Sequence, residues 1–183
     1  MVLNLQGLPR VRMKPTDDYR WASVALIIDA ETDELLLIKR TENTNDPWSG
    51  NVAAPGGIYE EKDGDLFETA VREAKEEVGV DLGFNEFVGI LSPNHPSNST
   101  TIRVLPHVFE VKKKLSTRIN RAEVEYVFWL PLKRASSMVR PYSYGSLYRG
   151  WAIYYQNNVI WGMTYRIIKE LLMKANISEL PDS

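Results

Sequence analysis

Cysteine is absent from the 183 residues, and histidine occurs twice. Disulfides and thiolate metal sites are thereby excluded. Charge of one sign is also missing: 22 basic residues face 24 acidic ones, for a net charge of −2. No global field therefore points to a nucleic acid or to a membrane surface. No apolar run approaches the ~18 residues that cross a bilayer. The N-terminal MVLNLQGLPRVRMKP lacks the apolar stretch of a secretory signal. Repeats, low-complexity tracts and linkers are lacking as well. What remains is 44% hydrophobic and 25% charged, as in ordinary globular chains. The expectation is a soluble, cytoplasmic protein with a single domain over residues 1–183, residues 1–20 forming a lead-in segment.

The chain supplies several strand signals. SVALIID (23–29) and LLLIKR (35–40) flank a turn-like AETDE and read as a hairpin. NVAAP is a short strand ending at a pair of glycines. FNEFVGILS (84–92), IRVLPHVFEV (102–111) and VEYVFWLPL (124–132) follow, with Pro106 arguing for an edge or a bulge in the second. GWAIYYQ and NVIW pair around Asn157 and Asn158. MTYRIIKELLMKA (163–175) has apolar residues at helical spacing. Strands mixed with a few helices predict an α/β fold, a mixed sheet flanked by helices.

The informative stretch is PGGIYEEKDGDLFETAVREAKEEVGV (55–80). Asp65 can cap a helix, with Glu68 three positions on, and Gly79 can stop it. At about 100° per residue, Phe67, Ala70, Val71, Ala74 and Val78 form the core face. Glu77, Glu73 and Glu76 form a stripe along its border, Glu77 the most sheltered. Like charges at this spacing cost roughly 0.2–0.5 kcal/mol per pair, and burial raises that cost. Arg72, one turn before Glu76, can compensate one of them. A divalent cation can compensate all three, and Mg²⁺ wants oxygen ligands. A plain solvated helix face accounts for the acids alone; it does not account for the preceding Gly56 and Gly57, which permit close backbone approach to a metal or a phosphate.

The stretch resembles the Nudix hydrolase signature, G-x5-E-x7-R-E-U-x-E-E-x-G-U, where U is bulky and aliphatic. Gly57, Arg72, Glu73, Glu76, Glu77, Gly79 and Val80 fill matching positions, with Ala74 at the first U. There is one extra residue before Arg72, and the usual loop glutamate is out of register, with Asp63 and Asp65 nearby. That variation is similar to the coenzyme A diphosphatase branch. The resemblance implies a Nudix-type α/β/α sandwich, and Mg²⁺- or Mn²⁺-dependent hydrolysis of a diphosphate joined to another group. It implies Glu73, Glu76, Glu77 and the Gly57 carbonyl as metal ligands, and Arg72 as the residue that orients a glutamate. The general base is left between a helix glutamate, Glu73 foremost, and Glu123, ahead of the 124–132 strand.

Gly56, Gly57 and Arg40 are candidates for holding phosphates, and Trp48, in a polar loop, for stacking on a base. Arg103 reads as a strand-end charge. His95 reads as a loop bystander, and His107, Trp129 and Trp161 as packed residues. Leu36, Leu37, Arg40, Gly50 and Pro55–Gly57 partly resemble a coenzyme A signature whose second arginine is missing here. Three readings follow: a diphosphatase for coenzyme A or a derivative; the same chemistry on ADP-ribose, a nucleotide sugar or a dinucleotide; and a nucleotide-sensing module that does not cleave. The expected partner is a small nucleoside diphosphate derivative, without nucleic acid or membrane, and a homodimer through an apolar face of the last strands or helix is compatible with the sequence.

Overall fold

The structure, a computed structural model, describes residues 3–42, 49–146 and 148–182. A seven-stranded mixed sheet contains β1 (Arg20–Asp29), β2 (Glu34–Arg40), β3 (Val52–Ala53), β4 (Gly56–Ile58), β5 (Phe87–Ile90), β6 (Ile102–Val111) and β7 (Val124–Pro131). A second, three-stranded sheet contains β8 (Val139–Tyr144), β9 (Tyr148–Tyr155) and β10 (Asn158–Ile160). The helices are α1 (Leu66–Val78) and α2 (Gly162–Lys174).

β1 reads as an unbroken apolar run because both its faces are buried. Side chains alternate with period two along a strand. Ala22, Val24, Leu26 and Ile28 therefore enter one core, together with Ile168 and Leu171 of α2. Trp21, Ala25 and Ile27 enter the other, with Phe67, Ala70, Ala74 and Val78 of α1. A sheet between two helical layers is the result, in line with the expected fold class.

Pairing along β1 explains where an opening forms. β6 runs parallel to β1 from Arg20↔Ile102 to Asp29↔Val111. On the opposite edge, β2 pairs with β1 only at Ile28↔Leu35 and Asp29↔Glu34, then diverges to pair along β7. The other end of that edge is taken by β4, at Ala22↔Ile58 through Val24↔Gly56. The predicted hairpin is thus joined only at its tip, and the sheet splits between β2 and β4.

One expectation changes, and the lead-in segment proves to be packed. Pro106 lies in an interior strand, between β1 and β5. Its carbonyl accepts Leu91 N–H at 3.0 Å, so its nitrogen faces the same side, where β5 gives way to loop and no strand asks for a donor. The lead-in is not loose: Leu3, Leu5 and Leu8 are buried in the α2-side core. Arg12 bonds Asp65 and Glu68 at 2.6 and 2.5 Å, stitching this segment to the start of α1.

Candidate active site

α1 begins and ends on its sequence signals. Asp65 Oδ1 accepts Glu68 N–H at 3.0 Å, while the Glu68 carboxylate turns to Arg12, so half of the capping box forms. Gly79 adopts a left-handed conformation (φ 70°, ψ 21°), which favours glycine, and its N–H returns to the last turn of α1. The polar connection after β6 then docks on this end. Arg118 N–H and Asn120 N–H donate to the carbonyls of Val78 and Glu77 at 2.8 and 2.9 Å. That docking satisfies orphan carbonyls of the helix and delivers Glu123 beside it.

Arg72 is the hub of the acidic face. Its Nε and Nη2 donate to Asp63 at 2.7 and 3.0 Å, a bidentate pair. Its Nη1 donates to Glu73 at 2.7 Å and to Glu76 at 2.9 Å, and Nη2 also donates to the Ile58 carbonyl at 3.1 Å. Asp63 hydrogen bonds raise the Arg72 pKa further, outweighing burial, so the guanidinium is fully charged. Burial works against ionisation of Asp63, but hydrogen bonds from Arg72, Glu60 N–H and Thr69 outweigh it and hold the carboxyl below its usual range. Asp63 thus serves as the acidic loop partner of Arg72.

Glu77 is 1% exposed, the most sheltered of the three helix glutamates, as the helical geometry predicts. Burial pushes its carboxyl up to about 8, opposed by the Gly56 N–H that donates to it at 2.9 Å and by Arg40, 3.8 Å away. Glu73 is buried as well, and burial raises it despite Arg72. Its carboxylate lies so close to Gly57 that a Cβ there would stand 2.6 Å from the carboxylate carbon. A side chain at 57 would have to displace the Glu73 carboxylate, which Arg72 holds at 2.7 Å. Glu76 departs from the expected stripe: its side chain is 49% exposed, paired with Arg72, and lies outside the cleft that Glu73 and Glu77 line.

That cleft, of about 590 Å³, opens over the split in the sheet. Arg40, Gly56, Gly57, Glu73, Glu77 and Glu123 meet there. Glu123 accepts from Asn120 Nδ2 at 3.0 Å, and its charge adds to the upward pressure on both buried glutamates. Trp48 lies outside the described residues. Arg103 sits over the Tyr19 ring at 4.0 Å, away from the cleft. His95 bonds its neighbour's carbonyl, and His107 is fully buried, its Nδ1 2.8 Å from Ser23 Oγ. Trp129 is half-buried and packs against the α1-side core.

Trp161 corrects the expectation of a packed residue, because it lines the cleft with Tyr144. Sequence reasoning also missed the opposite wall. Arg166 of α2 holds the 92–101 loop through Asn94 Oδ1 at 3.2 Å and the His95 carbonyl at 2.6 Å, and Glu170 accepts Ser92 N–H at 3.0 Å. Pro96, Ser97 and Asn98 of that loop face the cleft. Thr164 Oγ1 donates to the Val52 carbonyl at 2.9 Å and ties α2 to β3. The sequence reads GWAIYYQ and NVIW as paired strands and 163–175 as a helix, but which neighbours they meet depends on long-range packing.

Among the described residues, no three Asp, Glu or His side chains converge as a ready-made cation cage. Arg72 bridges Glu73 and Glu76, and Glu77 turns to Gly56 and Arg40. The donor set nonetheless suits a hard divalent ion: it is all oxygen, and burial leaves Glu73 and Glu77 with a raised cost of ionisation that a cation relieves. No helix among the described residues is long and apolar enough to cross a membrane.

The NUDIX domain family matches residues 18–148. With the acidic helix, the glycine pair and the split sheet in place, the chain belongs to the Nudix hydrolase family. It is similar to the uncharacterised Nudix hydrolase NudL of Photorhabdus laumondii, 34% identical over 176 residues that cover 93% of this chain and 92% of that protein. NudL of Shigella flexneri is 30% identical over 175 residues, 93% of this chain and 90% of that protein. The fold is similar to a MutT Nudix hydrolase of Burkholderia pseudomallei (TM-score 0.51, 17% identity, 84% of this chain and 98% of that one). It is also similar to a MutT/Nudix family protein of Enterococcus faecalis (TM-score 0.54, 15% identity, 82% of this chain but 53% of that one). Family substrates are nucleoside diphosphate derivatives, and the family generally uses divalent cations.

Proposed function

We propose that this protein hydrolyses the diphosphate bond of a nucleoside diphosphate linked to a second group, with coenzyme A or a derivative favoured. The carrying observation is the pair of buried carboxylates, Glu73 and Glu77, at a cleft that also presents Gly56, Gly57 and Arg40. Glu73 and Glu77 would hold the divalent ion with the Gly57 carbonyl; Glu76, outside the cleft and paired with Arg72, would have to leave that partner to join them. When bound, Mg²⁺ or Mn²⁺ neutralises the diphosphate charge and lowers the pKa of water.

The chain's own residues divide the remaining work. Arg72, fixed by Asp63, keeps Glu73 aimed at Gly57. Arg40 places positive charge beside the diphosphate. Glu123 and Glu73 are the two acids positioned to take a proton from the attacking water, and Glu123, the exposed one, releases it to solvent. The fragment of coenzyme A signature at Leu36, Leu37 and Arg40 supports coenzyme A. ADP-ribose, nucleotide sugars and dinucleotides are the second reading, supported by the missing second arginine.

A panel of these compounds with Mg²⁺, with products identified by mass, tests the proposal. Release of a nucleoside monophosphate, or of the nucleoside 3′,5′-bisphosphate in the case of coenzyme A, with the second group carrying the other phosphate, is expected from at least one compound. Tight binding across the panel with no product from any compound would favour the sensing module and overturn the proposal.

A further inference from the structure

The cleft has a second chemical character besides its carboxylates, in the aromatic residues that line it. Trp161, the residue just before α2, is half-buried and lines it, as does Tyr144, which is 52% exposed. Their ring centroids are 5.2 Å apart and the planes tilt by 30°. Behind them, Tyr148 and Tyr142 stand 5.1 and 5.7 Å from Trp161 and fix its orientation. The Tyr148 hydroxyl is itself held by a hydrogen bond of 2.9 Å that it donates to the Trp151 carbonyl of its own strand, β9. The two rings are thus packed against further aromatic rings while both line the cavity, and Tyr144 keeps half its surface exposed. Trp161 lies beyond residue 148, where the match to the family domain ends, so this wall is supplied by the chain's C-terminal sheet and helix.

A cleft lined both by carboxylates, glycine backbone and an arginine and by flat aromatic rings suits a ligand that joins a diphosphate to a planar ring. We infer that Trp161 and Tyr144 form a stacking subsite for the nucleobase of the substrate. This rests on the proposed function, because the diphosphate end sets which part of the ligand reaches the rings. Stacking reads the π face of a base, so the subsite favours a nucleoside over a base-free phosphate and tolerates different bases.

Binding of adenosine 5′-monophosphate and of base-free ribose 5-phosphate, measured by calorimetry with Mg²⁺ present, separates the possibilities. Trp161→Leu is expected to weaken the nucleotide about 5- to 100-fold, the range for one lost base–aromatic stack. Trp161→Phe should retain most of the affinity, and ribose 5-phosphate should bind all three proteins alike. Tyr144→Ala, at an exposed position, repeats the test should Trp161→Leu not fold, with loss for the nucleotide alone. Unchanged nucleotide affinity in these variants, equal losses for both ligands, or no nucleotide binding to the wild type would overturn the inference. Cleavage of the substrate panel with nucleotide affinity indifferent to Trp161 removes the subsite and leaves the proposed function standing. Trp161-dependent binding without cleavage of any panel compound does the reverse.

Discussion

The two walls of the cleft are built by different rules. The α1 wall is electrostatic: Arg72 ties Asp63, Glu73 and Glu76 together while Glu77 lies buried against Gly56. The wall formed by the second sheet and α2 is one of shape: Trp161 and Tyr144 line it, and Arg166, Glu170 and Thr164 fasten it to a loop and to β3. Local spacing on one helix determines the first. Contacts between segments as much as 112 residues apart determine the second. Under the proposed function, chemistry and ligand selection would sit on separate parts of the chain, and substitutions should separate rate from affinity.

The largest effect is expected from Glu77→Gln. The amide can still accept Gly56 N–H, so the fold should persist by circular dichroism. Loss of an ion ligand is worth several kcal/mol of transition-state stabilisation, at least a drop of about a hundredfold in kcat. Arg72→Lys comes next: it keeps the charge but removes the fork that grips Asp63 and Glu73 together. A fall of about 10- to 100-fold in activity or Mg²⁺ affinity is expected from kinetics at varied Mg²⁺. A loss confined to KM for the organic substrate would place Arg72 on the wrong wall.

The third prediction concerns stability and involves neither wall. Burial lowers the His107 imidazole from 6.5 to about 4, with Asp65 and Arg12 its charged neighbours. Between those pH values the unfolded chain binds the proton and the folded one does not. The His107 contribution to stability is therefore complete above pH 6.5 and is lost as pH drops toward 4, by about 3 kcal/mol in all, while Glu77, raised to about 8, contributes the opposite slope over part of the same range. Urea unfolding of the wild type and of His107→Leu at several pH values should show this slope in the difference between the two proteins, and a difference independent of pH would contradict it. The smallest effect is expected for Thr164→Val, which removes the tie from α2 to β3. It should cost ~1 kcal/mol in unfolding and raise KM with kcat nearly constant; a kcat loss matching that of Arg72→Lys would erase the distinction between the walls.

Much of the first wall was legible in the sequence. Asp65, Gly79 and the period of Phe67, Ala70, Ala74 and Val78 give the helix, its ends and its buried face. The same geometry ranks Glu77 as the most sheltered acid. The bonding of Asp63 to Arg72 was not legible, because it depends on the path of the loop between Gly57 and Asp65. Nor was the exclusion of Glu76 from the cleft, since a helical wheel does not show where a neighbouring sheet ends. β8 carries Pro141 and alternates weakly, so its pairing with β9 is set by tertiary contact. Trp161 has an apolar setting in sequence that suits a core residue equally well, and only the position of the second sheet turns it toward the cleft.

The central claim is that Glu73 and Glu77 share a divalent ion at the floor of the cleft. Titration of Mn²⁺ into the wild-type protein and Glu77→Gln, followed by the electron paramagnetic resonance signal of the free ion, tests it directly. The account predicts a bound fraction in the wild type that falls at least about tenfold in affinity in the variant, equivalent to ~1.4 kcal/mol. Equal Mn²⁺ binding by the two proteins would contradict it.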